Sequence, residues 1–280
     1  MKNLKLVLAA VAVLLTASAA AREYRVSLGD VAATLREARP GDRIVIENGR
    51  YSDLSLKWLG RGAEGKPVRI EAATPGGVEI TGGSTLRLAG EWLEVSGLCF
   101  RDGVAPSGSV IEFRNGREVA NHCRLTECVV DNYNPARRDM AYSYILLYGR
   151  HNRVDHCSLM GKLNLGVTLI VMLNEPRSQQ NFHRIDHNWF GPRPVYGSNG
   201  AETIRVGTSQ QAYSSSNTTI EENLFDRCNG EVEVVSIKSS DNVIRRNVFF
   251  ESEGVLALRH GDRNTVEENL FVGHGKRNTG

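Results

Sequence analysis

Ile220-Glu-Glu-Asn-Leu-Phe225 is followed by Ile244-Arg-Arg-Asn-Val-Phe249 and Val266-Glu-Glu-Asn-Leu-Phe271, three copies of one phrase in a 280-residue chain. The phrase reads apolar, two residues, Asn or Cys, one residue, apolar. Three earlier copies have Cys128, Cys157 and Asn188 in the Asn/Cys slot. Successive slots are 29, 31, 35, 24 and 22 residues apart. A unit that recurs at about this length indicates a solenoid.

Each unit is short, rich in β-branched residues and interrupted by Gly and Asn, which favours strands over helices. The sequence therefore predicts an all-β fold, a right-handed parallel β-helix, with the Asn and Cys side chains stacked from coil to coil at one bend. The hydrophobic fraction of 41% is sufficient for a core. A solenoid of this kind offers a long groove, and a groove suits a polymeric ligand.

The first residues have the features of an export signal. Lys2 and Lys5 precede an apolar run at positions 6–15 and small residues at 17–21. This pattern predicts a signal peptide over residues 1–21 and a secreted or periplasmic protein. The run is too short to span a bilayer comfortably, so no membrane contact is expected after cleavage. Loss of the two lysines lowers the formal net charge from +2 to zero, which gives no indication of nucleic-acid binding.

Residues 22–280 are assigned to the β-helix. A short capping helix is predicted from Leu28 to Arg39, with Asp30 as its N-cap and Pro40 directly after it. Long insertions at 129–184 and 191–219 are expected to form loops on one side, where sites are usually built. The chain stops shortly after a repeat, which favours a C-terminally truncated domain.

The five cysteines are an odd number, so at least one is expected to be unpaired in an exported protein. Cys128 and Cys157 occupy the slot that Asn fills elsewhere, and they are predicted to be small buried residues. No pair of cysteines has histidines nearby at the spacing typical of zinc ligands, so a zinc site is not expected.

Three neighbouring coils carry polar residues that interrupt the strand pattern, at 199–207, 229–239 and 254–261. If Val232 and Val234 face the core, alternation places Glu231 and Glu233 on the outer face. A bend at Val235-Ser236 would then turn Lys238 outward.

In the next coil, alternation with Leu256 and Leu258 facing in puts Arg259 outside. Arg259 follows Lys238 by 21 residues, about one coil. Coils lie about 4.8 Å apart, so Lys238, Arg259 and the two glutamates are expected to converge on one patch.

This patch suggests a chemistry. Two carboxylates and an amide oxygen are ligands that Ca²⁺ accepts, and Asn199 is the best third ligand to Glu231 and Glu233. A lysine and an arginine beside a cation do not suit simple glycoside hydrolysis. They suit removal of the C5 proton of a uronic acid whose carboxylate is neutralised by a metal, with a neutral Lys238 as base.

The same phrases resemble a known family. Asn199-Gly-Ala-Glu-Thr-Ile-Arg205, Asn229-Gly-Glu-Val-Glu-Val-Val-Ser-Ile-Lys-Ser239 and Leu258-Arg-His-Gly261 are similar to those of polysaccharide lyase family 6, which contains alginate lyases and chondroitinase B. The resemblance covers most of residues 22–280, including the segments at 40–42 and 48–51. It implies a right-handed β-helix, export, and β-elimination on uronate-containing polysaccharides.

The resemblance also implies roles for individual residues. Lys238 corresponds to the base and Arg259 to the acid, while Asn199, Glu231 and Glu233 correspond to the Ca²⁺ ligands. The implied substrate is an acidic polysaccharide, most simply alginate. A chondroitin or dermatan sulfate lyase, a uronan C5-epimerase and a non-catalytic polysaccharide-binding β-helix remain as alternatives.

Other residues are candidates for substrate contacts. Arg205 shares the outward parity of the site and could hold a substrate carboxylate, and His260 is expected to turn toward the core although it neighbours Arg259. In the insertions, Lys162 and Arg193 are interpreted as surface residues within reach of acidic sugars, and Tyr196 could stack on a sugar ring. The sequence does not indicate an oligomeric state.

Overall fold

The computed structural model describes residues 20–276, so nearly all of the predicted signal peptide lies outside the described residues. From Glu23 onward the chain winds through three sheets in which strands of successive coils pair in parallel. Each coil contributes in turn to sheet 1, sheet 2 and sheet 3, which are defined by their strands below. The predicted parallel β-helix is confirmed.

The strands are short and follow the coil order. Sheet 1 contains Glu23–Val26, Arg43–Ile46, Val68–Ala72, Leu93–Ser96, Arg124–Thr126, Arg153–Asp155, Arg184–Asp186, Thr219–Glu221, Val243–Arg245 and Thr265–Glu267. Sheet 2 contains Gly49–Ser52, Val78–Gly82, Leu98–Gly103, Val129–Asp131, Ser158–Met160, Trp189–Phe190, Leu224–Asp226, Val248–Phe250 and Leu270–Val272. Sheet 3 contains Ser55–Arg61, Thr85–Glu91, Ser109–Glu112, Ser143–Leu147, Leu169–Val171, Ile204–Val206, Glu233–Lys238 and Val255–His260, with Arg114–Asn115 and Glu118–Asn121 as a side pair.

The N-terminal helix is shorter than predicted. A 3₁₀ turn at Leu28–Asp30 continues into an α-helix at Val31–Leu35, and only turns follow up to Pro40. The Ser27 side chain, and not Asp30, accepts the capping hydrogen bond, from the Gly29 N–H.

Leu28, Val31 and Leu35 are buried, so this helix packs onto the core as expected. Two further 3₁₀ turns occupy Pro176–Ser178 and Ser209–Gln211. Within residues 20–276, the helices are all too short to serve as an apolar membrane span.

The Asn slots form a continuous ladder at the bend between sheets 1 and 2. The Nδ2 atom of Asn188 donates to Oδ1 of Asn223 over 3.0 Å, and Asn223 donates in the same way to Asn247 over 3.0 Å. Asn247 donates to Asn269 over 2.9 Å. The residue before each slot has a left-handed backbone conformation, with φ between 51° and 56°, which makes the bend. The predicted stacking is confirmed.

The core inside this bend is equally regular. The rings of Phe190, Phe225, Phe249 and Phe271 stack with centroids 4.5–5.0 Å apart. Cys157 is buried in the ladder, as predicted, and its thiol contacts the Leu125 carbonyl over 3.6 Å. All five cysteines are buried and unpaired.

Asn247→Ala is expected to lower the free energy of unfolding by about 2–3 kcal/mol, because buried groups of Asn223, Ile220 and Asn269 lose their partner. The change is measured as a lower thermal midpoint of the circular dichroism. Exposed Asn174→Ala is the control and should leave the midpoint within experimental error. An unchanged midpoint for Asn247→Ala would contradict the stabilising role of the ladder.

Candidate active site

The outer face of sheet 3 brings the three polar phrases together. The strand Glu233–Lys238 lies between Ile204–Val206 and Val255–His260. Its pairing with the latter is irregular at two places, between Glu233 and Val235 and between Ile237 and Lys238. The extra residue is Val234 of this strand at the first place and Arg259 of the neighbouring strand at the second, so the alternation of Glu233–Lys238 is disturbed at Val234 and not at Val235-Ser236 as expected. Val232 is 68% exposed, so its predicted inward orientation is wrong.

Three carboxylates form the centre of the site. Oxygen atoms of Glu202, Glu231 and Glu233 all lie within 4.8 Å of one another. Oε2 of Glu231 accepts hydrogen bonds from the N–H groups of Gly200 at 2.8 Å and Ala201 at 3.4 Å. Burial raises the pKa of Glu231, and the negative charges of Glu202 and Glu233 raise it further. The three carboxylates therefore repel one another, and a cation bound between them would relieve this repulsion.

Glu202 has a particular place in this cluster. Its side chain is almost fully buried, and its Oε2 atom has no hydrogen-bond partner among the described residues. A buried carboxylate oxygen without a partner is costly. Glu202 lies in the phrase at 199–205, but no role was predicted for it from the sequence. It precedes its strand, so alternation could not orient it.

Two cations flank the carboxylates. Nζ of Lys238 lies 3.5 Å from Oε1 of Glu202 and 4.0 Å from Oε2 of Glu233. The Arg259 guanidinium lies 3.0 Å from Oε1 of Glu233. The Lys238 side chain is 15% exposed and that of Arg259 60% exposed, so the lysine is enclosed while the arginine borders solvent. The expected convergence of Lys238, Arg259 and the two glutamates is thus found.

The remaining candidates lie around this centre. Arg205 faces outward, with its guanidinium 3.8 Å from Oε1 of Glu202. His260 pairs with Lys238 along the sheet, and its Nε2 is 3.1 Å from Oγ of Ser209, so its predicted orientation toward the core is wrong. Asn199 is exposed and lies beside Glu231 and Glu233 in the cleft described next.

An open cleft of about 550 Å³ lies over these residues. Its lining includes Glu231, Glu233 and Arg259, and from the second insertion Val195 and residues 197–199. Tyr196 does not line it. The Arg138 guanidinium lies 5.3 Å from the Tyr196 ring centre and covers one of the ring faces that stacking on a sugar would need.

Comparison with known proteins identifies the family. Residues 26–280 match the family described as Chondroitinase B. The solved structure of AlyGC, described as a family 6 alginate lyase, superposes with a TM-score of 0.89 at 50% identity, over 90% of this chain and 35% of that chain. The chain belongs to polysaccharide lyase family 6. A comparison with curated proteins gave no significant match.

Other family 6 structures are similar over the same region. A mannuronic acid specific lyase from the human gut microbiota has a TM-score of 0.86 at 39% identity, over 92% of this chain and 60% of that one. An alginate lyase in complex with a trisaccharide has a TM-score of 0.78 at 26% identity, over 93% and 56%. The chain thus spans between about one third and three fifths of the length of these family 6 lyases.

Two cations of this family 6 chain that were interpreted as surface residues are buried. Lys162 donates to the carbonyl oxygens of Asn164 at 3.2 Å and Leu165 at 3.3 Å. Burial and, to a smaller extent, the charge of the nearby Arg193 together lower the pKa of Lys162 to about 6. Lys162 therefore stabilises an insertion from inside and does not contact a polymer.

Arg193 connects the insertions to the site. Its guanidinium donates to the carbonyl oxygens of Glu202, Asn164 and Gly166, each at 2.9 Å. It also reaches Oγ1 of Thr168 at 3.3 Å. Burial lowers its pKa to about 10, which leaves it charged at neutral pH. Arg193 thereby holds the backbone of Glu202 in place through a buried hydrogen bond.

Proposed function

We propose that this protein is an exported polysaccharide lyase that cleaves alginate by Ca²⁺-assisted β-elimination. One observation carries the proposal: Lys238 and Arg259 lie on two sides of a three-carboxylate cluster at the base of an open cleft. Membership of family 6 supports the reaction class. The lysine-rich and apolar N-terminal sequence supports export.

The carboxylate cluster suits a hard cation. Glu202 has an unpartnered buried oxygen, and the pKa of Glu231 is raised by burial and by the negative charges of Glu202 and Glu233. We propose Asn199, Glu231 and Glu233 as Ca²⁺ ligands and add Glu202 as a further one. When bound, Ca²⁺ would neutralise the substrate carboxylate and so make the adjacent C5 proton easier to remove.

Lys238 and Arg259 then carry out the elimination. Lys238 in its neutral form takes the C5 proton on Nζ, the C4–O4 bond breaks, and a double bond forms between C4 and C5. The glycosidic oxygen leaves as a hydroxyl with a proton taken at Arg259, which solvent restores because that side chain is 60% exposed. Arg205 holds a substrate carboxylate by charge-assisted hydrogen bonds.

Alginate is the proposed substrate because AlyGC is described as a family 6 alginate lyase and a second similar structure as a mannuronic acid specific family 6 lyase. Dermatan sulfate is the second candidate, favoured by the description Chondroitinase B of the matching family.

A substrate panel separates these candidates. The protein with Ca²⁺ is incubated with polymannuronate, polyguluronate and dermatan sulfate, and the ultraviolet absorbance of unsaturated uronate is followed. Absorbance with polymannuronate or polyguluronate supports the proposal. Absorbance with dermatan sulfate alone would show that the substrate is dermatan sulfate and not alginate. An epimerase or a binding protein gives no absorbance with any of them.

Arg193→Lys is expected to weaken Ca²⁺ binding by about 10-fold to 100-fold, the usual cost of losing a group that orients a metal ligand. A lysine has a single nitrogen and cannot replace the planar guanidinium group, whose two terminal nitrogens contact Glu202, Asn164 and Gly166. Calorimetric titration with Ca²⁺ measures the effect. Arg138→Lys is the control, because exposed Arg138 also contacts insertion carbonyls but not Glu202. Equal Ca²⁺ affinities in all three proteins would contradict the role of Arg193.

A further inference from the structure

A row of outward-facing positions crosses sheet 3 from coil to coil. Strand pairing joins them in order as Arg87, Glu112, Leu146, Ile170, Arg205, Ser236 and Ala257. Charged residues would be expected on the outer face of a β-helix. Leu146 and Ile170 are instead two apolar residues in succession, directly next to Arg205.

These two residues form the floor of a second cleft of about 430 Å³. Its walls come from the insertions and include Leu165, Val167 and Met172. Arg205 closes the end nearest the carboxylate cluster and is the one formally charged side chain among the described residues that line this cleft.

The second cleft borders the first. Asn199 lines both of them, and Gly200 at the edge of the second donates its N–H to Glu231 in the centre of the site. Ile170 lies one coil from Arg205 and Leu146 lies two, at about 4.8 Å per coil. One sugar residue of an extended polysaccharide is comparable in length with this spacing. A polymer whose two reacting sugars lie at the carboxylate cluster and Arg205 would therefore place its next sugar over Ile170 and Leu146.

We propose that the cleft over Leu146 and Ile170 is a subsite for an unsulfated sugar ring, which lays its C–H face on these two side chains. The proposal rests on the proposed lyase function and specifies its substrate class. A sulfate group in this cleft would lose water and find no cation besides Arg205, which a uronate carboxylate already occupies. In dermatan sulfate the neighbour of each uronate is a sulfated hexosamine, so the subsite selects an unsulfated polyuronate.

The test compares binding of short and long oligouronates without turnover. In the Lys238→Ala background, calorimetry gives the affinity for an unsulfated disaccharide and an unsulfated hexasaccharide. Ile170→Asn is expected to weaken hexasaccharide binding about fivefold through lost apolar contact, and to leave disaccharide binding unchanged. Leu146→Asn should act in the same direction, and it serves as the second variant if Ile170→Asn folds poorly. Leu59→Asn, on an exposed side chain at the N-terminal end of sheet 3, is the matched control.

Sulfated and unsulfated hexasaccharides of equal length complete the experiment. Weaker binding of the dermatan sulfate hexasaccharide supports the subsite. Equal affinity for the two, no effect of either variant at any length, an equal loss at both lengths, or no binding of any oligosaccharide would overturn it. Length-dependent binding in a protein that yields no unsaturated product would contradict the lyase function and leave the subsite standing. If the protein with Lys238 forms unsaturated product but both variants bind the hexasaccharide normally, the subsite is contradicted and the lyase function stands.

Discussion

Lys238→Ala is expected to reduce kcat on alginate by about 10²–10⁴-fold, the usual contribution of a positioned general base. The expectation follows from the enclosed position of Lys238 at 3.5 Å from Glu202, where little solvent can reach in to replace it as the proton acceptor. Steady-state rates of unsaturated uronate formation measure the loss, and far-ultraviolet circular dichroism checks that the β-sheet content is kept.

Lys238→Arg makes this test specific for a base. An arginine keeps the positive charge, but its neutral form, which a base needs in order to take the C5 proton, is too rare at neutral pH to serve. If Lys238 is the base, both variants lose activity to a similar extent, whereas a purely electrostatic role would let the arginine variant retain most of it. Lys57→Ala, on the exposed face of the same sheet, should have the wild-type rate. A Lys238→Ala protein with more than about a tenth of the wild-type rate would require another base, and His260 would be examined first.

Removal of Ca²⁺ with EGTA is expected to lower the rate by at least about 10²-fold, because a Lewis acid at a developing charge contributes several kcal/mol. Added Ca²⁺ should restore the rate. Glu231→Gln should reproduce the loss and weaken Ca²⁺ binding in the same titration, because the substitution removes one charge from a cluster whose oxygens lie within 4.8 Å of one another.

Glu253→Gln is the matched control for the metal site. Glu253 lines the same cleft, but it is exposed, bonds to Lys276 and is not part of the carboxylate cluster. Its substitution should change neither Ca²⁺ affinity nor rate by more than about twofold, as for an exposed charge outside the site. A wild-type rate after exhaustive chelation would remove the metal from the mechanism.

The repeat predicted the fold well because one physical requirement acts in every coil. A buried amide that bonds to the same amide in the next coil needs Asn at a fixed place, and this is visible in the sequence at Asn223 and Asn247. Alternation then placed Glu231, Glu233 and Lys238 on one face. It was wrong at Val232, because the strand begins only at Glu233.

The residues that the sequence did not predict lie in the insertions, where no repeat constrains them. Glu202 joins the cluster from the end of a loop, and Arg193 and Lys162 are buried by loop packing. A charged residue in a loop is normally exposed, so its burial depends on carbonyl groups brought together by the fold, as Arg193 shows with its three carbonyl partners. Such contacts are formed between coils and leave no local pattern.

The most direct measurement of the central claim is the mass of the oligosaccharides that the protein releases from alginate in the presence of Ca²⁺. Elimination after removal of the C5 proton by Lys238 predicts that every new non-reducing end is lighter than a hydrolysis product by one water and absorbs in the ultraviolet. Products with the mass of saturated ends, or an alginate chain that is epimerised but not shortened, would contradict it.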